Sequence, residues 1–348
     1  MADLLDIFNQ DAFRVTTMAQ AMREIKYVPS YLSSLGIFRE SYIDTVDIVI
    51  EKDADQQIFI VPSSPRGAPG VTFGKGRRTM RKLAAPHYQV DDAIYADEVQ
   101  AARAMGDPIA VETLIGKITR RAGEVSQSFA LTEERQKLAV VTKGLLLDAD
   151  GSTMYDYYAE FGESLPTEIA FDLANASPAR GALRKLCAAL VRSMGTTLDG
   201  IPYSGIMALC SDSFFDAFST HIEVEKTYLN WVEAQNLRTP LVTVGQGAQT
   251  GIWGAFSMFG IYWVNYRGGQ TVGIPTDKVY FIPIGTPDLF RSVYVPADYM
   301  ETVNTVGQRL YSKVWRMDND KGMNMEFQSN VLHYCVRPRC IFSGRLGA

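Results

Sequence analysis

Histidine and cysteine, from which most metal centres and many active sites are assembled, are scarce here: three and four of them in 348 residues. The cysteines Cys187, Cys210, Cys335 and Cys340 form no C-x-x-C pair, and their spacing does not describe a disulfide framework. Free thiols in a reducing compartment are the simplest reading. The basic excess of a dedicated nucleic-acid binder is missing as well, since 34 basic against 39 acidic residues give a net charge of −5. An uninterrupted membrane span is also lacking. The uncharged stretch between Arg238 and Arg267 is broken by Pro240, Gln246, Gln249, Asn265 and several glycines. The opening MADLLDIFNQD carries acids where a secretion signal needs bases. Neither low complexity nor an internal repeat is visible. What remains is a cytoplasmic chain with an ordinary core, 47% hydrophobic, and no membrane partner. At roughly 100–200 residues per domain its length suggests two domains with appended arms.

A search for chemistry finds little. His87, His221 and His333 share no local motif. Cys210, Asp212 and His221 could form a nucleophile cluster, but Cys210 ends an apolar strand and Asp212 sits in a helix's first turn, so packing and capping explain both. GQGAQTG from Gly245 has its third glycine one position late for a dinucleotide loop, and GVTFGKGRR has the wrong spacing for a phosphate loop. Asp148 and Asp150 hint at a calcium loop whose other ligand positions are missing. No cofactor, metal or catalytic residue is expected.

The organisation is more informative. The first forty-four residues read as an arm, with Phe8, Phe13, Met18 and Met22 spread through a polar segment; so much apolar surface should dock on something. Residues 45–96 read as an extended excursion, opening with an alternating strand at Thr45–Ile50 and a second strand at Ile58–Val61. Pro62–Lys82 holds three prolines, four glycines and no acid, so neither a helix nor a central strand fits it. Its bases are Arg66, Lys75, Arg77, Arg78, Arg81 and Lys82. With Phe8 and Phe13 they are the candidate contacts to another subunit. From Ile109 to about Leu146 apolar residues recur at steps of three and four, predicting one very long helix. Glu133 and Lys137 form a supporting pair on it.

Further along, the aromatic run Tyr155, Tyr157, Tyr158, Phe161 reads as a strand, and Ser177-Pro178 as the capped start of a helix stopped at Gly195. GIMALC reads as a buried strand, followed by a helix capped at Ser211 and helical residues to about Asn236. Strands follow near Ile252–Tyr266 and at Val279–Ile284. RLYSKVWRM and MNMEFQSNVLHYCV, joined by DNDKG, form a long antiparallel hairpin.

An ordered series of segments resembles one family, the lambda-type major capsid proteins of tailed phages, the capsid protein E family. TEERQKLAVVTKGLLLDADGSTMYDYYAEFG, with Glu133, Gly144, Asp148, Asp150 and Gly151, is similar to the end of the family's long helix. DAFRVTTMAQAM…YVPSYLSSLGIF, with Phe13, Pro29, Leu35, Gly36 and Phe38, resembles its N-terminal arm, and PRGAPG (Arg66, Gly67, Pro69) its extended loop. DDAIYADEVQ, NTVGQRLYSKVW and SNVLHYCVRPRCIFSG resemble the approach to the helix and the return strands.

The resemblance implies an α+β chain with the tailed-phage capsid fold. Its parts are an N-terminal arm (1–44), an extended loop (45–96), a peripheral domain (97–176 and 302–348) built on a spine helix of about 109–146, and an α/β axial domain (177–301). It also implies self-assembly into hexamers and pentamers of an icosahedral shell around double-stranded DNA bound without sequence specificity, with portal and decoration proteins as further partners. The N-terminal region is too short for a fused scaffolding domain, so a separate scaffolding protein is expected. The alternatives are a cellular nanocompartment shell of related fold and a soluble enzyme with a dispersed site. The expected location is the virion, reached from the host cytoplasm.

Overall fold

A computed structural model describes residues 31–53, 78–96, 109–175, 177–229, 252–266, 272–318 and 321–347. The predicted arm residues Phe8 and Phe13, the strand at Ile58–Val61, and Arg66, Lys75 and Arg77 lie outside them.

Two sheets and one long helix make the body. The helix α2 (Ile109–Lys143) follows a single turn α1 (Tyr31–Ser34). Its 35 residues span roughly 52 Å at 1.5 Å per residue. The apolar steps predict it to Leu146, but it stops at Lys143 because Gly144 turns left-handed (φ +64°). Gly144 N–H still donates to Val140 O at 3.1 Å, and Leu145–Leu147 leave as strand β5, pairing with β6 (Thr153–Asp156) across the Asp150-Gly151 turn. The aromatic run after it is a strand only as far as Asp156. Asp156 Oδ1 accepts from Tyr158 N at 2.9 Å and Ala159 N at 3.4 Å, which starts a short helix α3 (Tyr157–Phe161). A side-chain cap overrides the aromatics' strand preference here.

The first sheet has five strands. β1 (Phe38–Tyr42) runs parallel to β12 (Phe290–Tyr294), and β12 pairs with the C-terminal part of β14 (Gly322–Cys335). The N-terminal part of β14 is flanked by β4 (His87–Tyr95) and β13 (Tyr311–Arg316), the latter completing the predicted hairpin. The second sheet, in the order β7-β15-β11-β8-β10-β9, has six. Its strands are β7 (Ile169–Ala170), β15 (Phe342–Arg345), β11 (Lys278–Ile284), β8 (Gly205–Cys210), β10 (Ile261–Tyr266) and β9 (Ile252–Met258).

GIMALC is apolar without alternation because β8 is covered on both faces. Ile206, Ala208 and Cys210 face the cluster under α4 (Ala182–Leu198) and α5 (Asp212–Ser219), where Trp263 stacks on Phe218 with centroids 3.8 Å apart. Met207 and Leu209 face the other way, toward the end of α2 and the first sheet. α4 begins at Ala182 behind a left-handed Gly181, not at the Ser177-Pro178 predicted as its start. It runs through Gly195 and ends where Asp199 and Gly200 turn left-handed. Packing of Leu183, Cys187, Leu190 and Met194 outweighs the single glycine. Ser211 caps α5 as predicted, accepting from Phe214 N at 3.4 Å.

A separate two-stranded ribbon joins β2 (Asp47–Asp53) to β3 (Arg78–Ala84). The excursion expected to extend to Lys82 thus includes, among the described residues, the start of strand β3 at Arg78. Among the described residues β3 pairs with β2 alone, which agrees with the exclusion of a central strand there.

Gly144 tests this account of the helix end. A Cβ on it would stand 2.6 Å from the Tyr158 ring, in a backbone conformation that L side chains rarely adopt. Gly144→Ala is expected to cost about 1–3 kcal/mol, read as a lower denaturant midpoint at unchanged slope.

Candidate functional site

Two regions stand out, a buried polar cluster at the end of α2 and the root of the ribbon. The last turns of α2 are buried on nearly every side, so their polar side chains must find partners inside the protein. Glu133 and Lys137, the supporting pair expected one turn apart, are 4% and 1% exposed. Lys137 Nζ lies 3.5 Å from Glu133 Oε2 and donates to Ser33 Oγ at 2.8 Å. Arg309 clasps Glu133 with two bonds, Nη2 to Oε2 at 2.6 Å and Nε to Oε1 at 3.3 Å. Tyr294 OH approaches the same carboxylate at 3.5 Å. Next to it, Glu134 Oε1 accepts from Leu32 N at 3.0 Å and from Tyr266 OH at 2.9 Å. One helical turn thus ties down the entry segment, strands of both sheets and the loop before β13.

His333 sits fully buried beside this cluster. Its Nδ1 is 2.7 Å from Ser292 Oγ, and its carbonyl accepts from Tyr157 OH at 2.5 Å. Burial first, then the cations of Lys137 and Arg309, hold its pKa well below the ordinary 6.5, so the ring is neutral.

At the ribbon's root, Ile48, Ile50 and Leu83 point into the core. Tyr155 OH bridges the backbone of Ala84, accepting from its N at 3.1 Å and donating to its O at 3.0 Å. Of the predicted basic contacts, Arg78 begins β3, Arg81 pairs with Glu160 at 3.3 Å, and Lys82 pairs with Asp47 at 2.7 Å. Both ion pairs are partly exposed.

The residues weighed as a nucleophile cluster have structural work. Cys210 is fully buried, and burial raises its thiol pKa well above the ordinary 9. Cys187 is pushed up to about 12 chiefly by the same cause. His221 precedes α6 (Ile222–Leu229), where its Nδ1 accepts from Glu223 N at 3.3 Å. Asp148 and Asp150 accept from Ala149 N at 2.6 Å and Ser152 N at 2.8 Å, holding the β5–β6 turn. Among the described residues there is no group of three or more His, Cys, Asp or Glu placed to hold a metal, and no helix long and apolar enough to cross a membrane. Sequence reasoning missed the buried cluster, because EERQK carries the same letters as any solvated helix face.

Glu133→Ala strands the Lys137 ammonium and is expected to cost about 3–5 kcal/mol. Adding Lys137→Met should recover part of that loss, shown by a double-mutant cycle in denaturant. His333 sets a pH dependence of known sign. The unfolded chain takes up a proton that the native site refuses, so stability is complete above about pH 6.5 and declines as pH falls below it. Denaturant midpoints at about pH 7.5 and about pH 5 should show the decline, and it should shrink in His333→Gln.

Comparison with known proteins places this architecture. The family model described as phage major capsid protein E matches residues 14–346. The major capsid protein of Pseudomonas phage KPP10 is 25% identical, covering 97% of each chain. That of Salmonella phage Felix O1 is 23% identical, covering 95% of this chain and 96% of the relative. The crystal structure of a proposed prophage capsid protein from E. coli CFT073 superposes with a TM-score of 0.52 at 12% identity, covering 95% of this chain and 98% of that one. On the family match, which takes in nearly the whole sequence, this chain belongs to the phage major capsid protein E family.

Proposed function

We propose that this chain is the shell-building subunit of a phage head, assembling through hexamers and pentamers into an icosahedral capsid around double-stranded DNA. The family match over residues 14–346 carries the reading. The role is structural, and catalysis plays no part in it.

A shell subunit gains stability by burying area against several neighbours. Heterologous contacts of one kind close into rings. We assign residues 97–176 and 302–348 to a peripheral domain around α2 and residues 177–301 to an axial domain. Strands cross that division three times, β12 entering the five-stranded sheet and β7 and β15 the six-stranded one. Residues 1–44 act as the arm and 45–96 as the reaching loop.

Phe8, Phe13, Arg66, Lys75, Arg77, Arg78, Arg81 and Lys82 are the proposed contacts to adjacent subunits. The intrachain pairs of Arg81 and Lys82 do not oppose this. Exposed ion pairs are worth about 0–1 kcal/mol, so exchange for a neighbour's carboxylate costs little. A net charge of −5 suits an inner wall that holds DNA without gripping it. A separate scaffolding protein, a portal and a decoration protein complete the proposed partners, and the virion is the destination after folding in the host cytoplasm.

Electron microscopy of the protein made alone and with its phage's scaffolding protein should show closed icosahedral shells, and particles from infected cells should contain DNA and a portal vertex. Shells enclosing protein cargo and no DNA would favour a nanocompartment. A compact monomer at high concentration would end the reading.

A further inference from the structure

The loop between β12 and β13 is an apolar surface held rigidly outward. Its start is fixed by Val295 N donating to Asn330 O at 3.0 Å and Asn330 Nδ2 donating to Pro296 O at 3.1 Å. Its middle is knotted by threonines, Thr302 Oγ1 bonding to Ala297 O at 2.7 Å and Thr305 Oγ1 to Thr302 O at 2.7 Å. Its end is pinned where Gly307 N donates to Ile43 O at 2.8 Å. Any side chain at Gly307 would collide with Tyr294, since a Cβ would lie 2.4 Å from that carbonyl oxygen.

A loop this constrained has no freedom to turn its apolar groups inward. Yet Met300 is 89% exposed, Val303 58% and Val306 57%. Tyr42, stacked on Tyr294 and next in sequence to Ile43, adds a further ring at 45% exposure. Scattered exposed apolar residues need no explanation, but several on one preorganised loop mark a contact site.

The surface has a chemical counterpart in the same polypeptide. Thirty residues precede Tyr31, and the first thirteen bring Leu4, Leu5, Ile7, Phe8 and Phe13 together with Asp3, Asp6 and Asp11, and no base. Of the bases beside the loop, Arg309 is held by Glu133 and Lys313 by Glu301, so the match offered to this segment is apolar. Thirty residues can extend roughly 100 Å, far enough to leave the body that carries them.

We propose that the Met300–Val306 loop with Tyr42 is a preformed docking face for residues 1–13 of a neighbouring copy. The proposal rests on the shell reading and names the surface that receives the arm. Alone, the loop is smaller than a standard interface of about 800 Å² per partner, so it locks a contact that other surfaces share.

The test places a photo-crosslinking residue at position 300 in particles assembled from a mixture of isotopically light and heavy chains. Adducts joining position 300 of one isotope to a peptide within residues 1–13 of the other are expected. Adducts confined to a single chain, formed with another polypeptide, formed elsewhere on the neighbour, or absent would each overturn the docking face. Val303→Asp combined with Val306→Asp should abolish particles while leaving the subunit's denaturation midpoint unchanged, and particles at wild-type yield would overturn it too. The crosslink reads contact without relying on that variant's folding. Failure of the docking face leaves wild-type shells intact, whereas failure of the shell reading is seen as the absence of any particle.

Discussion

The fold depends on a charge that is hidden. Glu133 sits inside the protein with two cations around it, one from the next turn of its own helix and one from a loop 176 residues away. A carboxylate left without partners would be costly to bury there. Held by Arg309, Lys137 and Tyr294 it becomes a junction where the long helix, the entry strand and the first sheet have to meet in one arrangement. Apolar packing alone would tolerate small slips of a helix along a sheet; a clasp of fixed hydrogen-bond geometry does not. We regard that positional strictness, more than net stabilisation, as the value of the cluster, since buried ion pairs often contribute little to stability overall. For a subunit that has to present the same surfaces in every copy, strictness is the property needed.

The sequence revealed the parts whose signal is periodic. Steps of three and four announced α2, period-two alternation announced β13 and β14, and the unbroken apolar run announced β8 as a buried strand. Where it misled, a local polar or backbone effect had outranked the pattern. Asp156 turned an aromatic strand into a helix, left-handed Gly144 ended α2 before the leucines that seemed to continue it, and α4 ran past Gly195 because its apolar stripe had somewhere to pack. The candidate contacts could be named only by type, as basic and apolar residues, and they stand as proposals. The buried cluster was not, because burial of EERQK is decided by what Arg309 and Tyr294 bring from far along the chain. The Met300–Val306 face was invisible for the same reason, since its orientation is set by bonds to Ile43 and Asn330.

The two sheets are interlaced through the chain. The polypeptide passes from β11 in the second sheet to β12 in the first within a few residues, and from β14 in the first to β15 in the second. The chain crosses between the sheets at both places through short connections, so they are expected to gain and lose structure together. The ribbon is fastened to this shared body by Tyr155 and Arg81.

That interlacing also orders events during synthesis. β1 at residues 38–42 waits for β12 at 290–294, and β4 at 87–95 waits for β14 at 322–330. At translation speed this is a delay of tens of seconds, during which the edges of the early strands have no native partner. A chain cut short before its last thirty residues lacks the strand that closes the first sheet and the strand that closes the second. Synthesis as far as β15 is thus a checkpoint built into the topology: copies that stop before β14 lack strands of both sheets, and so the shared body on which any assembly surface is mounted.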